Sequence, residues 1–132
     1  MSDRVDTVDP VDPIDSVLQA YFDGLYHSDT ERLRGVFHQR AIYASATGGA
    51  LIALAMDDYL PIVDARPSPA SRDEPRRDRV VSIERVGPVT AVARVECSIG
   101  PKRFDDVLTL IQVDGRWQII AKVFHYELAE EA

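Results

Sequence analysis

Residues 12–37 read DPIDSVLQAYFDGLYHSDTERLRGVF, and this stretch decides the fold because it encodes two amphipathic helices. Asp12 is a favourable N-cap and Pro13 suits the first position of a helix. The apolar residues that follow are spaced three and four apart, which is the spacing of one helix face. They are Ile14, Val17, Leu18, Tyr21, Phe22, Leu25 and Tyr26. The pattern predicts a first helix over residues 14–26 with one buried side.

The second helix is predicted to begin at residues 28–31, because their sequence SDTE matches a capping box. Its apolar stripe consists of Leu33, Val36 and Phe37. His38 is predicted to end this helix, where an imidazole interacts favourably with the negative end of the helix dipole.

Length and composition favour one domain. The chain has 132 residues, of which 45% are hydrophobic, enough for a substantial core. We expect residues 1–11 to form a flexible acidic tail and residues 12–128 to form the domain. Residues 66–78 are rich in proline and charge, which predicts a flexible loop.

The charge excludes some partners. A net charge of −7 makes binding to nucleic acid or to an anionic membrane unexpected. The arginines of the 66–78 loop alternate with acidic residues and are interpreted as a solvated surface. We find no signal peptide and no apolar run long enough to span a membrane, so a cytoplasmic location is expected. Cys97 is the single cysteine and is predicted to be a small buried apolar group.

The rest of the chain is predicted to form a sheet beside the two helices. A small hairpin over residues 41–54 precedes a third short helix that starts near Asp57. Strands are then predicted over residues 80–86, 89–99, 103–113 and 116–126. Asp114-Gly115 is a strong signal for a two-residue hairpin turn between the last two strands.

That turn sets a register in which Val113 pairs with Arg116. Strict alternation of side chains along the two strands then places ten residues on the face towards the helices: Phe104, Asp106, Leu108, Leu110, Gln112, Trp117, Ile119, Ala121, Val123 and His125. The opposite face is also apolar, and exposed apolar patches usually mark interfaces. A homodimer through this outer face is predicted, with Ile111, Val113, Ile120, Lys122 and Phe124 in the contact. A β-bulge in the final hairpin would exchange the two faces.

The order of elements resembles the NTF2-like superfamily, also called the cystatin-like fold. YFDGLYHSDTERLRGVFHQRAIY resembles the opening helices and first strand of that superfamily, and DGRWQIIAKVFH resembles its closing strand. The sequence is most similar to the small bacterial proteins called "Putative lumazine-binding", relatives of the SnoaL-like group. The resemblance implies an α+β cone, in which a curved, mostly antiparallel sheet wraps around the first helix. The lumazine name implies a pterin-like ligand.

Ketosteroid isomerases of this fold provide a sharper comparison. Tyr21 lies where the resemblance places their helical tyrosine. The position of their catalytic base falls near Ser45, and that of their third catalytic acid near residues 108–110, where no carboxylate stands. The resemblance therefore does not carry the isomerase mechanism over to this chain.

The residues themselves indicate one candidate for catalysis. Asp106 and His125 are diagonal neighbours in the predicted register, and an Asp that orients a His can form a general base. A surface ion pair is the alternative. Tyr21 is the candidate donor to a developing oxyanion. Lys122 is predicted to bind a carboxylate such as Asp105 across the dimer interface.

A ligand pocket is predicted between the first helix and the inner sheet face. Its candidate lining residues are Tyr21, Tyr59, Trp117, His38 and Tyr43. The simpler interpretation of each tyrosine is a core residue with a solvated hydroxyl. The histidines lack metal-ligand spacing, so neither a metal nor a cofactor is expected. The primary hypothesis is a small-molecule-binding protein. The alternatives are a SnoaL-like isomerase, cyclase or hydrolase with an Asp-oriented His, and a non-catalytic structural dimer.

Overall fold

The computed structural model describes residues 12–129, which form three α-helices and one curved, open sheet. The helices are α1 (Pro13–His27), α2 (Thr30–Val36) and α3 (Met56–Ala65). The strands are β1 (Phe37–Ser45), β2 (Ile52–Ala55), β3 (Arg79–Arg85), β4 (Thr90–Ile99), β5 (Lys102–Val113) and β6 (Arg116–Leu128). Their order is β2-β1-β6-β5-β4-β3, with β1 and β6 parallel and every other neighbouring pair antiparallel. The predicted α+β cone is confirmed, whereas the predicted tail lies outside the described residues.

Helix α1 begins as its sequence predicts. The Asp12 side chain accepts a hydrogen bond of 2.8 Å from the backbone N–H of Ile14, and Pro13 occupies the first turn. The helix ends at His27, and its C-cap Ser28 adopts a left-handed conformation with φ of +51°. Ile14, Leu18 and Tyr21 have no exposed surface, so this face of α1 is the centre of the core.

Helix α2 differs from its prediction at both ends. Asp29, and not Ser28, is the N-cap, and it accepts a hydrogen bond of 3.1 Å from the N–H of Arg32. The helix ends at Val36, so His38 lies in β1, and its predicted role at the helix end is wrong. The physical reason is strand pairing, because Phe37 is already in register with Ile119 of β6.

The 66–78 segment connects α3 to β3 and contains a 3₁₀ turn at Ala70–Arg72. Glu74 contacts two parts of the fold. Its backbone carbonyl accepts a hydrogen bond of 2.5 Å from Tyr26 Oη, and its carboxylate accepts one of 2.9 Å from the N–H of Gly100. Arg76 also forms an ion pair of 3.0 Å with Asp23. The segment therefore packs against α1 and the β4–β5 turn, and its predicted flexibility stays a prediction.

The β5–β6 hairpin begins in the predicted register, with Val113 opposite Arg116. Asp114 and Gly115 both have positive φ, +54° and +75°, as a two-residue primed turn requires. Further along, Leu110 pairs with Ile119 but Thr109 pairs with Ala121. Ile120 is thus the extra residue of a β-bulge.

This bulge exchanges the faces of β6 after Ile120, so the register predicted for residues 121–126 is wrong. Lys122 and Phe124 point inward and are 4% and 8% exposed. Ala121, Val123 and His125 move to the outer face. Lys122 and Phe124 are consequently unavailable for the predicted dimer contact, and the predicted bond between Lys122 and Asp105 cannot form there.

The convex face of the sheet keeps an apolar centre. Ile42, Val107 and Val123 lie on the neighbouring strands β1, β5 and β6, and they are 53%, 42% and 50% exposed. The helices cover only the concave face. Within residues 12–129, no helix is long and apolar enough to cross a membrane.

Candidate functional site

A buried hydrogen bond joins the first helix to the sheet. Tyr21 Oη, on α1, donates to Asp106 Oδ2, on β5, across 2.5 Å. Tyr21 is fully buried and Asp106 is 1% exposed. The second carboxylate oxygen, Oδ1, is also buried and has no hydrogen-bond partner. Asp106 therefore has an unused acceptor in the interior of the cone.

Lys122 lies beside this pair on the same sheet face. It is in register with Leu108, whereas Asp106 is in register with Phe124, so the lysine and the aspartate are diagonal neighbours. The Lys122 ammonium is surrounded by an aromatic box of five rings, whose centroids lie 5.2–5.9 Å from Nζ. The rings belong to Tyr21, Tyr43, Tyr59, Phe104 and Phe124. We call Tyr21, Asp106 and Lys122 the polar centre.

The aromatic box is itself well packed. Tyr43 stacks on Tyr59 with ring centroids 4.1 Å apart and planes inclined by 21°. Phe124 contacts both Tyr43 and Phe104, at centroid distances of 4.7 and 5.7 Å. The box combines residues from α1, α3, β1, β5 and β6, so it exists only when the whole cone is assembled.

In the polar centre, the electrostatic environment keeps Lys122 positively charged and Tyr21 neutral. Burial, followed by the nearby Asp106 carboxylate, raises the pKa of Tyr21 well above its ordinary value of 10.0. Burial alone would lower the pKa of Lys122, but Tyr59, Asp106 and other groups outweigh burial and raise it. Lys122 is therefore an ammonium at neutral pH, suited to hold a negative charge and unsuited to act as a nucleophilic amine.

Arg66 adds a second positive charge. It follows α3, and its Nε is buried without a hydrogen-bond partner. Burial raises the pKa of Tyr43, and the positive charges of Lys122 and Arg66 oppose that rise. Arg66 thus acts electrostatically on the aromatic box.

A cleft of about 300 Å³ lies at the end of the sheet where β4, β5 and β6 meet, and most of its lining residues belong to the convex rows of these strands. Cys97 and Phe104 line the cleft and also adjoin the centre, since Cys97 Sγ lies 3.9 Å from Asp106 Oδ2 and Phe104 belongs to the aromatic box. The remaining lining residues are charged or polar: Arg77, Glu96, Ser98, Arg103, Asp105 and Glu127.

The predicted pair of Asp106 and His125 does not form. His125 is exposed on the convex side, opposite Asp105, whereas Asp106 is buried on the concave side. The His125 ring nitrogens lie 3.4 Å from Thr47 Oγ1 and 3.4 Å from Glu127 Oε2. The bulge at Ile120 is the physical reason, and it removes the proposal of an Asp-oriented His.

The predicted pocket residues lie in three separate places. Tyr21, Tyr43 and Tyr59 are brought together in the aromatic box. Trp117 lies instead in an open groove with Pro13 and Val17, where its ring contacts the Arg85 guanidinium at 5.2 Å. His38 lies in another cleft, with Phe37, Met56 and Leu60, and its Nδ1 accepts a hydrogen bond of 3.0 Å from Arg40 N.

Four site residues were not predicted as such from the sequence: Lys122, Phe104, Phe124 and Arg66. The signal was a single lysine in the apolar stretch IIAKVF, a place where a charge must be paired or functional. Ser45, at the position of the isomerase base, exchanges a hydrogen bond of 2.9 Å with Thr47 Oγ1. Within residues 12–129, no cluster of three His, Cys, Asp or Glu side chains could hold a metal ion.

This chain is similar to one protein family and to many solved structures. The model of the family described as "Putative lumazine-binding" matches residues 9–125. The chain belongs to this family. The lumazine-binding-family chain also has the NTF2-like fold of many solved structures. An NTF2-like protein of unknown function from Shewanella baltica is 24% identical, with a TM-score of 0.78, over 89% of this chain and 93% of that one.

Two further relatives are informative. An NTF2-like protein of unknown function from Methylobacillus flagellatus is 29% identical, with a TM-score of 0.74, over 92% of this chain and 94% of that one. The aldolase FrzH from Cladobotryum sp is 40% identical to the lumazine-binding-family chain over 40 residues. That match spans only 29% of this chain and 32% of the aldolase.

Proposed function

We propose that this protein binds a small molecule between α1 and the concave face of the sheet, in contact with the polar centre. The observation that carries the proposal is the unpaired Asp106 Oδ1 in a buried site that also contains the Lys122 ammonium. A buried polar atom without a partner costs free energy, as does a buried charge. A bound ligand that completes these interactions would offset that cost.

The family membership and the composition of the interior support this proposal. Binding sites typically combine aromatic walls with a few convergent polar groups, which is the composition of the aromatic box and polar centre.

A library screen by thermal shift, followed by calorimetric titration, tests the proposal. Asp106→Asn and Asp105→Asn form a matched pair, because the two aspartates are adjacent but lie on opposite faces of β5. We expect ligands to bind the wild type and Asp105→Asn equally, and Asp106→Asn more weakly by roughly tenfold or more. Equal binding to both variants would place the ligand elsewhere.

An enzymatic role is a second candidate, favoured by the aldolase match and by the carboxylate beside a buried cation. Asp106 would accept a proton from the carbon next to a carbonyl group, and Lys122 would stabilise the enolate oxygen that forms. Proton exchange of small ketones and aldehydes in D₂O, followed by NMR, tests this candidate. Exchange that persists unchanged in Asp106→Asn would rule it out.

We also propose that the protein is a homodimer, now through the convex patch formed by Ile42, Val107 and Val123. Apolar exposure at three adjacent strands supports this surface. If no ligand binds the interior, a non-catalytic structural dimer becomes the better description.

A cytoplasmic setting is part of the proposal as well. Its support is that the only cysteine, Cys97, is a free and buried thiol, which suits a reducing compartment. Fractionation of cells that express the tagged full chain tests this location.

A further inference from the structure

The formal charges in and beside the aromatic box do not balance. Lys122 and Arg66 are cations, and Asp106 is the acid that lies among them. Asp78 is also close enough to affect Cys97, but its carboxylate is bound by Arg76 at 2.5 Å. Lys122 is buried and Arg66 is half-buried, so this group of three carries one excess positive charge, which is unfavourable where solvent is largely excluded unless an anion joins it.

The ammonium of Lys122 is also incompletely bonded. It has three N–H donors, yet it is surrounded by ring faces, and no acid within residues 12–129 forms an ion pair with it. Cation–π attraction stabilises the charge only in part. A ligand oxygen with negative charge would complete the coordination.

Two other features restrict the shape and chemistry of that ligand. Asp106 Oδ1 requires a hydrogen-bond donor, because Tyr21 already engages Oδ2. The stacked rings of Tyr43 and Tyr59 present flat apolar surfaces beside Lys122. Flat rings favour contact with a planar ligand.

We propose that the ligand is a planar organic acid, with an anionic oxygen bound to Lys122, its ring against the aromatic box, and an O–H or N–H donating to Asp106 Oδ1. This inference rests on the proposed function and specifies the class of ligand. Arg66 supplies the second positive charge that makes an anion preferable to a neutral molecule.

A pair of matched probes tests the inference on the unmodified protein. 3-Hydroxybenzoate and 3-hydroxybenzamide have the same ring and the same hydroxyl donor, and they differ in the charge of one group. Calorimetry at neutral pH should show that the acid binds more tightly than the amide by roughly thirtyfold, as for loss of one partner of a buried charge pair. Benzoate, which lacks the hydroxyl donor, should bind less tightly than 3-hydroxybenzoate.

The two lysines of the chain supply a matched pair of variants. Lys122→Met removes the buried charge, while Lys102→Met removes an exposed ammonium that also lies over a ring, 4.7 Å from the Tyr126 centroid. Lys122→Met should abolish the preference for acid over amide, and Lys102→Met should retain it. Lys122→Arg keeps the charge if the methionine variant does not fold.

The outcomes distinguish this inference from the proposed function. If neutral compounds bind as tightly as their acids, and lose affinity in Asp106→Asn, the site exists but the anionic ligand class is wrong. If neither the probes nor a broad screen of neutral and charged compounds bind, the proposed function and this inference both fail. A preference for the acid that survives in Lys122→Met would overturn the role of Lys122.

Discussion

At the scale of single residues, Gly24 shows how closely the first two helices approach each other. It lies in α1, and a Cβ atom built there would lie 2.6 Å from Leu33 Cδ2 and 2.7 Å from Leu33 Cγ. Leu33 is fully buried in α2. The absence of a side chain at Gly24 therefore allows α1 and α2 to pack at this distance.

Gly24→Ala should destabilise the protein even though alanine has the higher helix propensity. The clash with Leu33 should cost about 1–3 kcal/mol, which exceeds the gain of about 1 kcal/mol from propensity. Gly35→Ala is the control, because its Cβ would meet only Arg116 Nη2, at an ordinary 3.5 Å. Urea unfolding should show a lower free energy of unfolding for Gly24→Ala and a higher one for Gly35→Ala. A higher free energy of unfolding for both variants would mean that Leu33 moves aside at little cost.

Cys97 gives a prediction about alkaline pH. Burial, followed by Asp106, raises the pKa of its thiol from 9.0 to about 12. The folded protein therefore retains a proton that the unfolded chain releases above pH 9. The free energy of unfolding should keep its full value below pH 9 and decrease between pH 9 and 12. Urea unfolding across this range should show a steeper decline for the wild type than for Cys97→Ala. If the free energy of unfolding falls equally steeply with pH in both proteins, the raised pKa of Cys97 is contradicted. Rapid reaction of the native thiol with a thiol reagent would also contradict it.

At the scale of secondary-structure elements, one extra residue in β6 decides which side chains enter the cone. The bulge at Ile120 turns Lys122 inward and His125 outward. Without it, strict alternation would place the histidine beside Asp106 and the lysine in solvent.

Amine labelling tests the orientation of β6. Reductive methylation should modify Lys102 rapidly and Lys122 slowly, because the first is exposed and the second is 4% exposed. Peptide mass spectrometry measures the two sites in one sample, and they are the only lysines in the chain. Denaturation should remove the difference. Equal rates in the native protein would indicate a regular strand without the bulge.

Helix α1 and the hairpin turn could be predicted from sequence because their signals are local. Asp12 with Pro13 marks the start of α1, and Asp114-Gly115 marks the hairpin with its register. The bulge could not be predicted, because both faces of β6 are apolar around Ile119 and Ile120, so neither register violated the hydrophobic pattern. Tyr21 and Asp106 were therefore assigned to the inner face correctly, whereas Lys122, beyond the bulge, was not.

At the scale of the whole molecule, the convex face determines the expected assembly. Ile42, Val107 and Val123 expose an apolar surface on three adjacent strands at the centre of the sheet. A sheet face of this kind packs well against its own copy, because a two-fold axis pairs the same patch on both chains.

Light scattering at micromolar concentration should give twice the 14.7 kDa mass of one chain. Val123→Asp should shift the protein to the monomer, because an unpaired carboxylate would be buried at the interface. Val86→Asp is the matched control, since Val86 is 52% exposed, against 50% for Val123, but lies after the end of β3. A wild-type monomer would refute the dimer, and a dimer that persists in Val123→Asp would move the interface to another surface.

The position of β6 has a consequence for biosynthesis. Strand β6, the last of the six described strands to be translated, lies between β1, the first of them, and β5. Until β6 is available, β1 and β5 both present unpaired edges, and nascent chains with open edges are prone to aggregate. Pairing β1 with β6 also closes a loop of most of the chain, which slows folding. Nascent chains should therefore remain dependent on chaperones until translation of the final strand is complete.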